Sequence, residues 1–195
     1  QVQFGEFGPV ALVAGGPPCQ PFSIGGKHRG MRDERDMIPE FIRAVRELQP
    51  AAFIFENVKG LTRHTFRNYF SYIQLQMTYP ALACGSNENW TDHLSRLEDV
   101  HTKGRHRGLQ YNVVARLLNA ANYGVPQTRE RVFVVGFRSD LGIDWHFPEP
   151  SHSQEALLHD QWVSGEYWER HGIKRSGRPV KLVSTQPPNN RLDKE

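Results

Sequence analysis

The chain has 195 residues and is mildly basic, with 24 Lys and Arg against 21 Asp and Glu, a net charge of +3 and an isoelectric point near 9.0. This length is enough for one α/β domain with a sizeable core, and so small a charge excess does not by itself indicate a nucleic-acid partner. Two cysteines, Cys19 and Cys84, are too few for a disulfide framework, no apolar run reaches the ~18 residues of a membrane span, and no signal-peptide pattern opens the chain. We therefore expect a cytoplasmic protein with no membrane contact.

The first predicted element is a short buried strand that ends in a rigid turn. The apolar run Val10-Ala11-Leu12-Val13-Ala14 is followed by two glycines and two prolines, which terminate the strand and fix the turn. Cys19 stands at the far edge of this turn. A strand and turn of this kind present a thiol to the crevice beyond the carboxyl end of a sheet, so Cys19 is a candidate nucleophile. For an isolated cysteine, the alternative is a buried side chain in a Pro-rich loop.

A helix and a second strand follow. The helix is predicted to start at Asp36-Met37-Ile38-Pro39 and to end at Gln49-Pro50, because Phe41, Ile42, Val45 and Leu48 recur at helical spacing. The next apolar strand is Phe53-Ile54-Phe55-Glu56-Asn57-Val58. Strand, helix and strand form a βαβ unit, which predicts parallel strands with a right-handed crossover.

The remaining chain alternates between weaker helical signals and strands. We expect a helix over about 64–77 whose aromatic residues pack in the core, a polar surface insertion at about 79–108, and paired strands at 111–118 and 132–137. Residues 1–138 are predicted to form a partial catalytic domain. The composition shifts after Ser139, so 139–195 are predicted to begin a second lobe or extension, with a poorly ordered tail from 174.

Three segments together carry a family resemblance. They are Gly15-Gly16-Pro17-Pro18-Cys19-Gln20-Pro21-Phe22-Ser23, then the strand ending in Glu56-Asn57-Val58, then Gln127-Thr128-Arg129-Glu130-Arg131 before the strand at 132–137. Their order and their places beside predicted strands resemble the DNA cytosine-5 methyltransferases, over roughly residues 9–173. The segments at 90–94 and 160–171 resemble a bacterial restriction–modification subgroup.

The resemblance implies a three-layer α/β, Rossmann-like, S-adenosylmethionine-dependent methyltransferase core. It also implies methyl transfer to carbon 5 of cytosine in duplex DNA through a covalent Cys–cytosine intermediate. Cys19 would attack carbon 6 of the base, Glu56 would act at ring nitrogen 3, Arg131 would donate to the base carbonyl or a phosphate, and Arg129 would brace the catalytic loop. For an isolated Glu the alternative is an N-cap or loop carboxylate, and for either Arg it is a surface ion pair, for example with Glu130.

Further contacts follow from the same resemblance. Pro18 and Asn57 would form a weak part of the cofactor wall. Since the target base must be flipped out of the duplex, the Gly-rich segment 24–35 is expected to close over DNA. The candidate DNA-binding residues are Gln20, Ser23, Lys27, Arg29 and Arg32. A second cluster of basic residues, at 103–107, is also suited to binding phosphates. Either basic cluster alone is more often a solvated loop.

A zinc site is the remaining chemical alternative. It would use Cys84 with His93, His101 and His106, but their spacings are not those of structural zinc motifs, so we expect no bound metal.

The chain also departs from the family pattern. The Phe-x-Gly-x-Gly cofactor turn and the acidic residue for the cofactor ribose are missing, and Phe4-Gly5-Glu6-Phe7-Gly8 has the wrong spacing. A full target-recognition domain and the family's C-terminal motif are missing too, so we expect a core that is incomplete at both ends and inactive by itself. A tRNA-directed member of the family and a non-enzymatic DNA-binding remnant stay open as alternatives. A cognate restriction endonuclease is an expected partner, and the oligomeric state is open.

Overall fold

The computed structural model describes residues 2–18, 37–104 and 106–174. The candidate residues outside these ranges are Cys19, Gln20, Ser23, Lys27, Arg29 and Arg32, together with Arg105 and the tail from 175. The described chain forms two units, Gln1–Asn119 with Arg129–Pro148, and Ala120–Thr128 with Glu149–Glu195.

The first unit is built on a mixed sheet, which has four strands in the described residues. Their ranges are Leu12–Gly15 (β1), Ala52–Val58 (β2), Tyr111–Asn119 (β3) and Glu130–Arg138 (β4), and their order across the sheet is β1-β2-β4-β3. β1 and β2 are parallel, whereas β4 runs antiparallel to both β2 and β3. The α/β class, the parallel β1–β2 pair and the pairing of the last two strands are therefore confirmed.

The helix that connects β1 to β2 supplies one layer of the core. This helix, α1 (Ile38–Leu48), has Pro39 in its first turn and ends at Gln49, whose φ of 47° is left-handed. Its apolar face meets the buried side chains of β2, and the Phe41 ring lies edge-on to Phe53 and Phe55 at centroid distances of 6.1 and 5.4 Å. The periodicity of α1 thus places its apolar stripe on the sheet.

Two further helices cover the same core. They are α2 (Arg67–Thr78) and α3 (Trp90–Lys103). Tyr69 and Tyr72 of α2 are buried, so the interpretation of these aromatic residues as core packing is confirmed. The expectation of a polar surface insertion at 79–108 is wrong for its first residue, Tyr79, and for helix α3, because Tyr79, His93 and Leu97 are buried. Most side chains of α3 are polar and exposed, so the segment is polar on average. This average conceals the narrow apolar stripe that packs in the core.

A closed polar network lies between α2 and α3. The ring Nδ1 of His93 is 2.9 Å from the hydroxyl of Tyr72, and its Nε2 is 2.8 Å from the carbonyl oxygen of Leu82. His93 is fully buried, and this burial lowers its pKa from 6.5. The fold therefore holds His93 as a neutral ring that connects the two helices.

The second unit contains short helical segments in its described part. Helix α4 (Gln154–His159) starts at Ser153, whose hydroxyl accepts from the backbone N–H of Ala156 at 3.0 Å, and α5 (Glu166–Arg170) follows a π-helical turn. Within this unit the Trp162 and Trp168 rings meet at 5.6 Å. Across the described residues of both units, no helix combines the length and apolarity needed to cross a bilayer.

The neutral state of His93 predicts a pH-dependent stability. Since its pKa is lower in the folded than in the unfolded chain, the unfolded chain binds the extra proton first as the pH falls below 6.5. The free energy of unfolding should therefore fall below that pH, by at most about 1.4 kcal/mol per pH unit for this one group. Urea titrations between pH 7.5 and 5.5 should show a shallower pH dependence in His93→Gln. The exposed His146→Gln is the matched control, and equal pH slopes in wild type and His93→Gln would contradict this account.

Candidate active site

Three segments of the chain converge at one end of the sheet. The carboxyl ends of parallel strands share an edge, so Gly15, the last residue of β1, pairs with Phe55 near the end of β2. Because β4 runs antiparallel, it starts where β2 ends, and Val58 pairs with Arg131. The Pro-Pro turn, the Glu-Asn-Val segment and the Arg-Glu-Arg segment are therefore neighbours although they are distant in sequence.

The carboxylate of Glu56 lies between the other two segments. Its Oε1 is 2.9 Å from Nε of Arg131, and the two side chains are 35% and 26% exposed. A Cβ built on Gly16 would stand 2.9 Å from Glu56 Oε2. Glycine at position 16 thus leaves room for the carboxylate, and Arg131 holds it from the other side.

Asn57 fixes the turn that leads to Cys19. Its side chain is almost fully buried, and its Nδ2 donates to the carbonyl oxygen of Pro17 at 3.1 Å. Its Oδ1 accepts from the backbone N–H of Val58 at 2.8 Å. The Nδ2 atom therefore holds the end of β2 against the Gly16-Pro17 turn, and the Oδ1 atom is used within the end of β2 itself.

The start of β4 has its own set of contacts. Glu130 pairs with Lys59, whose Nζ is 2.7 Å from Oε2, rather than with the neighbouring arginines. Arg131 donates from Nη1 to the Glu130 carbonyl oxygen. The backbone N–H of Arg129 donates to Oδ1 of Asn119 at 3.2 Å, and the Arg129 residue is exposed. No described contact joins Arg129 to Glu56.

The structure thus assembles part of the predicted site. Glu56, Asn57, Arg131 and the turn up to Pro18 lie together, whereas Cys19 lies outside the described residues. The contact between Gly16 and Glu56 and the ion pair between Lys59 and Glu130 were not anticipated from the sequence. Only the glycine had a local signal, since it belongs to the same motif as Cys19.

A second cluster of chemically active side chains comes from a segment between β2 and β3, distant in sequence from Glu56 and Arg131. Donor atoms of Cys84, Glu88 and His93 lie within 4.8 Å of one another. Each already has a protein partner, because Glu88 binds Arg96 through both carboxylate oxygens, Cys84 Sγ donates to the Glu88 backbone carbonyl, and His93 binds Tyr72 and Leu82. The Arg96 hydrogen bond lowers the pKa of Glu88 to about 2, and burial raises that of Cys84. This cluster has the character of a structural network.

The cofactor contacts implied by the resemblance fit the structure only in part. Pro18 is exposed at the end of the described turn. Asn57 is buried and directs both amide atoms to the protein. These two residues therefore do not by themselves make a cofactor site.

Comparison with known proteins gives a family and several relatives. Residues 2–79 and 92–177 match the family model described as C-5 cytosine-specific DNA methylase. The Type II methyltransferase M.AquIA of Picosynechococcus is 40% identical over 144 residues, which is 73% of this chain and 49% of that protein. M.HgiCII of Herpetosiphon aurantiacus, also a Type II methyltransferase, is 40% identical over 148 residues, which is 75% of this chain and 27% of that protein. The chain thus spans about half or less of the length of these relatives.

Solved structures are also similar to the chain. The crystal structure of a substituted Spodoptera frugiperda DNMT2 matches with a TM-score of 0.43 and 22% identity, covering 78% of this chain and 37% of that one.

The buried amide of Asn57 gives a stability prediction. Asn57→Asp keeps the shape of the side chain and its acceptor for Val58, but it removes the donor to Pro17 and places a charged oxygen beside that carbonyl. The free energy of unfolding should fall by about 1–3 kcal/mol, the usual cost of an unsatisfied buried polar group. Chemical denaturation measures the loss. Asn112→Asp makes the same change at an exposed position of β3 and should have little effect. Equal losses in the two variants would show that the bond to Pro17 contributes nothing.

Proposed function

The chain belongs to the C-5 cytosine-specific DNA methylase family, and we propose that it supplies the base-binding and nucleophilic groups for methyl transfer to carbon 5 of cytosine in duplex DNA. The observation that supports this most directly is the position of Glu56. Its carboxylate is held between Gly16 and Arg131, directly beside the turn that leads to Cys19.

The proposed chemistry starts at Cys19. Carbon 5 of cytosine is a poor nucleophile, and addition of the Cys19 thiolate to carbon 6 makes the ring electron-rich at carbon 5. Glu56 in its protonated form gives its proton to ring nitrogen 3 as the thiolate adds, and so offsets the negative charge that develops there. S-adenosylmethionine would supply an electrophilic methyl group to carbon 5, and its sulfonium would leave as a neutral thioether. Loss of the carbon 5 proton to water, return of the nitrogen 3 proton to Glu56 and departure of the thiolate from carbon 6 then restore the aromatic ring.

The two arginines have different proposed tasks. Arg131 orients the Glu56 carboxylate through its Nε and has further guanidinium N–H groups for the base carbonyl or a phosphate. Arg129 is exposed next to the Glu130–Lys59 pair, so we propose that it supports the loop before β4. We propose Asn57 as a positioning residue for the catalytic turn rather than a cofactor contact, because its amide is committed to Pro17 and Val58.

The proposal also covers the DNA substrate, a partner protein and the activity of the isolated chain. Duplex DNA would be held by Gln20, Ser23, Lys27, Arg29 and Arg32, which follow the nucleophile in the chain. Restriction–modification relatives support a cognate endonuclease as a partner in the same bacterial cytoplasm. We also propose that this 195-residue polypeptide alone does not catalyse methyl transfer, because it spans only part of its relatives' length.

The catalytic roles can be tested in a chimera. Residues 9–173 replace the corresponding segment of M.HgiCII, and tritiated methyl transfer and covalent trapping on 5-fluorocytosine duplex DNA are measured. Cys19→Ser should abolish both, because the hydroxyl is a much weaker nucleophile than a thiolate. Glu56→Gln should lower the transfer rate by a factor of about 10²–10⁴, the usual worth of one acid–base group.

Matched substitutions serve as controls in the same chimera. Cys84→Ser and the exposed Glu98→Gln make the same chemical changes away from the site and should leave the rate near that of the parent chimera. Trapping by the Cys19→Ser chimera would refute the nucleophile, and a near-normal rate for Glu56→Gln would refute the acid. A parent chimera that neither traps nor methylates DNA would contradict the proposed function as a whole.

The isolated chain should bind S-adenosylmethionine more weakly than micromolar and methylate nothing. The Gly-rich first turn and the following acid on which such folds depend for cofactor affinity are not found in this sequence. Calorimetric titration and a tritiated-methyl assay on mixed-sequence DNA measure this, with the chimera as the positive control. Micromolar binding or turnover by the chain alone would contradict this part of the proposal.

A further inference from the structure

We propose that the segment Lys59–Arg67, called here the 59–67 turn, is a contact surface for the phosphate backbone of duplex DNA beside the target base. This inference rests on the proposed function. The turn consists of two short 3-10 segments, Lys59–Thr62 and His64–Phe66, and ends at Arg67, the first residue of α2. It carries four exposed basic side chains, Lys59, Arg63, His64 and Arg67, of which Lys59 is paired with Glu130.

The turn is fixed to the same end of the sheet as the candidate active site. It starts directly after Val58, which pairs with Arg131, and its first side chain, Lys59, is tied to Glu130 at the start of β4. Leu61 is fully buried and anchors the middle of the turn in the core. The backbone N–H of Phe66 donates to the carbonyl oxygen of Arg63 at 2.8 Å. The basic side chains therefore project from a backbone whose position relative to Glu56 is set by the sheet.

The side chains of Arg63, His64 and Arg67 have no role in the folding contacts described. Arg43, Arg96, Lys103, Arg131 and Arg138 each pair with a carboxylate. Among the described residues, by contrast, no hydrogen bond or ion pair engages the side chains of Arg63, His64 or Arg67. Arg67 also stands in the first turn of α2, which has no acidic residue and no side-chain cap, so its charge is unfavourable to the helix dipole. Positive charge that does not stabilise the fold is well suited to an external polyanion.

Duplex DNA is the polyanion that the proposed function supplies. An enzyme that flips a base must hold the backbone on either side of it, and Arg matches phosphate oxygens with its planar set of donors. A rigid turn next to Glu56 places two such groups at a fixed distance from the base. The contact is to phosphates, so it would position the duplex without reading its sequence.

The test is the salt dependence of DNA binding by the full 195-residue chain. Fluorescence anisotropy with an unmodified 30-base-pair duplex gives the binding constant between 50 and 200 mM salt. Each phosphate contact contributes about 0.9 to the slope of log K against log salt, so Arg63→Gln with Arg67→Gln should reduce that slope by about 2. The charge-matched control is Arg46→Gln with Arg138→Gln. Arg46 lies near the end of α1 and Arg138 ends β4, both towards the end of the sheet opposite Glu56, so this slope should stay at the wild-type value.

Each outcome decides the proposal. Equal slopes for the two double variants, or no binding by the wild-type chain at 50 mM salt, would overturn it. Stronger competition by a folded RNA than by duplex DNA would overturn the choice of duplex DNA. Failure of the proposed function would instead show as loss of trapping and transfer in the parent chimera while the salt response of the 59–67 turn persists.

Discussion

The hydrogen bond from Asn57 to the Pro17 carbonyl is the contact on which the geometry of the candidate site depends. Pro17 and Pro18 have no backbone N–H, so neither of them can donate a hydrogen bond that would close the turn after β1. The donor comes instead from the end of the neighbouring parallel strand, inside the core. This bond converts a rigid but unattached turn into one whose direction is set by β2.

The alternation of side chains along β2 then divides the work between the two faces of the sheet. Phe53, Phe55 and Asn57 point toward the helix layer and are buried, whereas Glu56 points to the other face and meets Arg131. One short strand thus supplies buried core side chains, the Asn57 side chain that supports the turn and the candidate acid Glu56. A slip of β4 by one residue relative to β2 would move Arg131 to the face of the sheet opposite Glu56. The register of these two strands therefore decides whether the two side chains can pair.

The sequence predicts the elements whose signal is local. β1, α1 and β2 follow from apolar periodicity, and the family motifs place Glu56 and Arg131 at strand ends before any coordinates are known. Helix α3 was missed as a core element because His93 and Leu97 are buried on a helix that is otherwise polar. The ion pair of Lys59 with Glu130 has no local signal, since it depends on how β4 is placed beside β2. The roles of Cys19 and of the residues after it stay predictions.

The strand order has a consequence for how the chain acquires its site. β4 lies between β2 and β3 in the sheet although it is the last of these strands along the chain. When the polypeptide emerges from the ribosome, β1, α1 and β2 can associate early, but the inner edge of β2 has no partner until β4 has been synthesised. Pairings over so long a loop form slowly, and an unpaired apolar strand is open to association with other chains until they do. The Glu56–Arg131 contact therefore cannot form until β4 has been synthesised and has paired with β2, so a nascent chain acquires this part of its candidate site after the β1-α1-β2 unit.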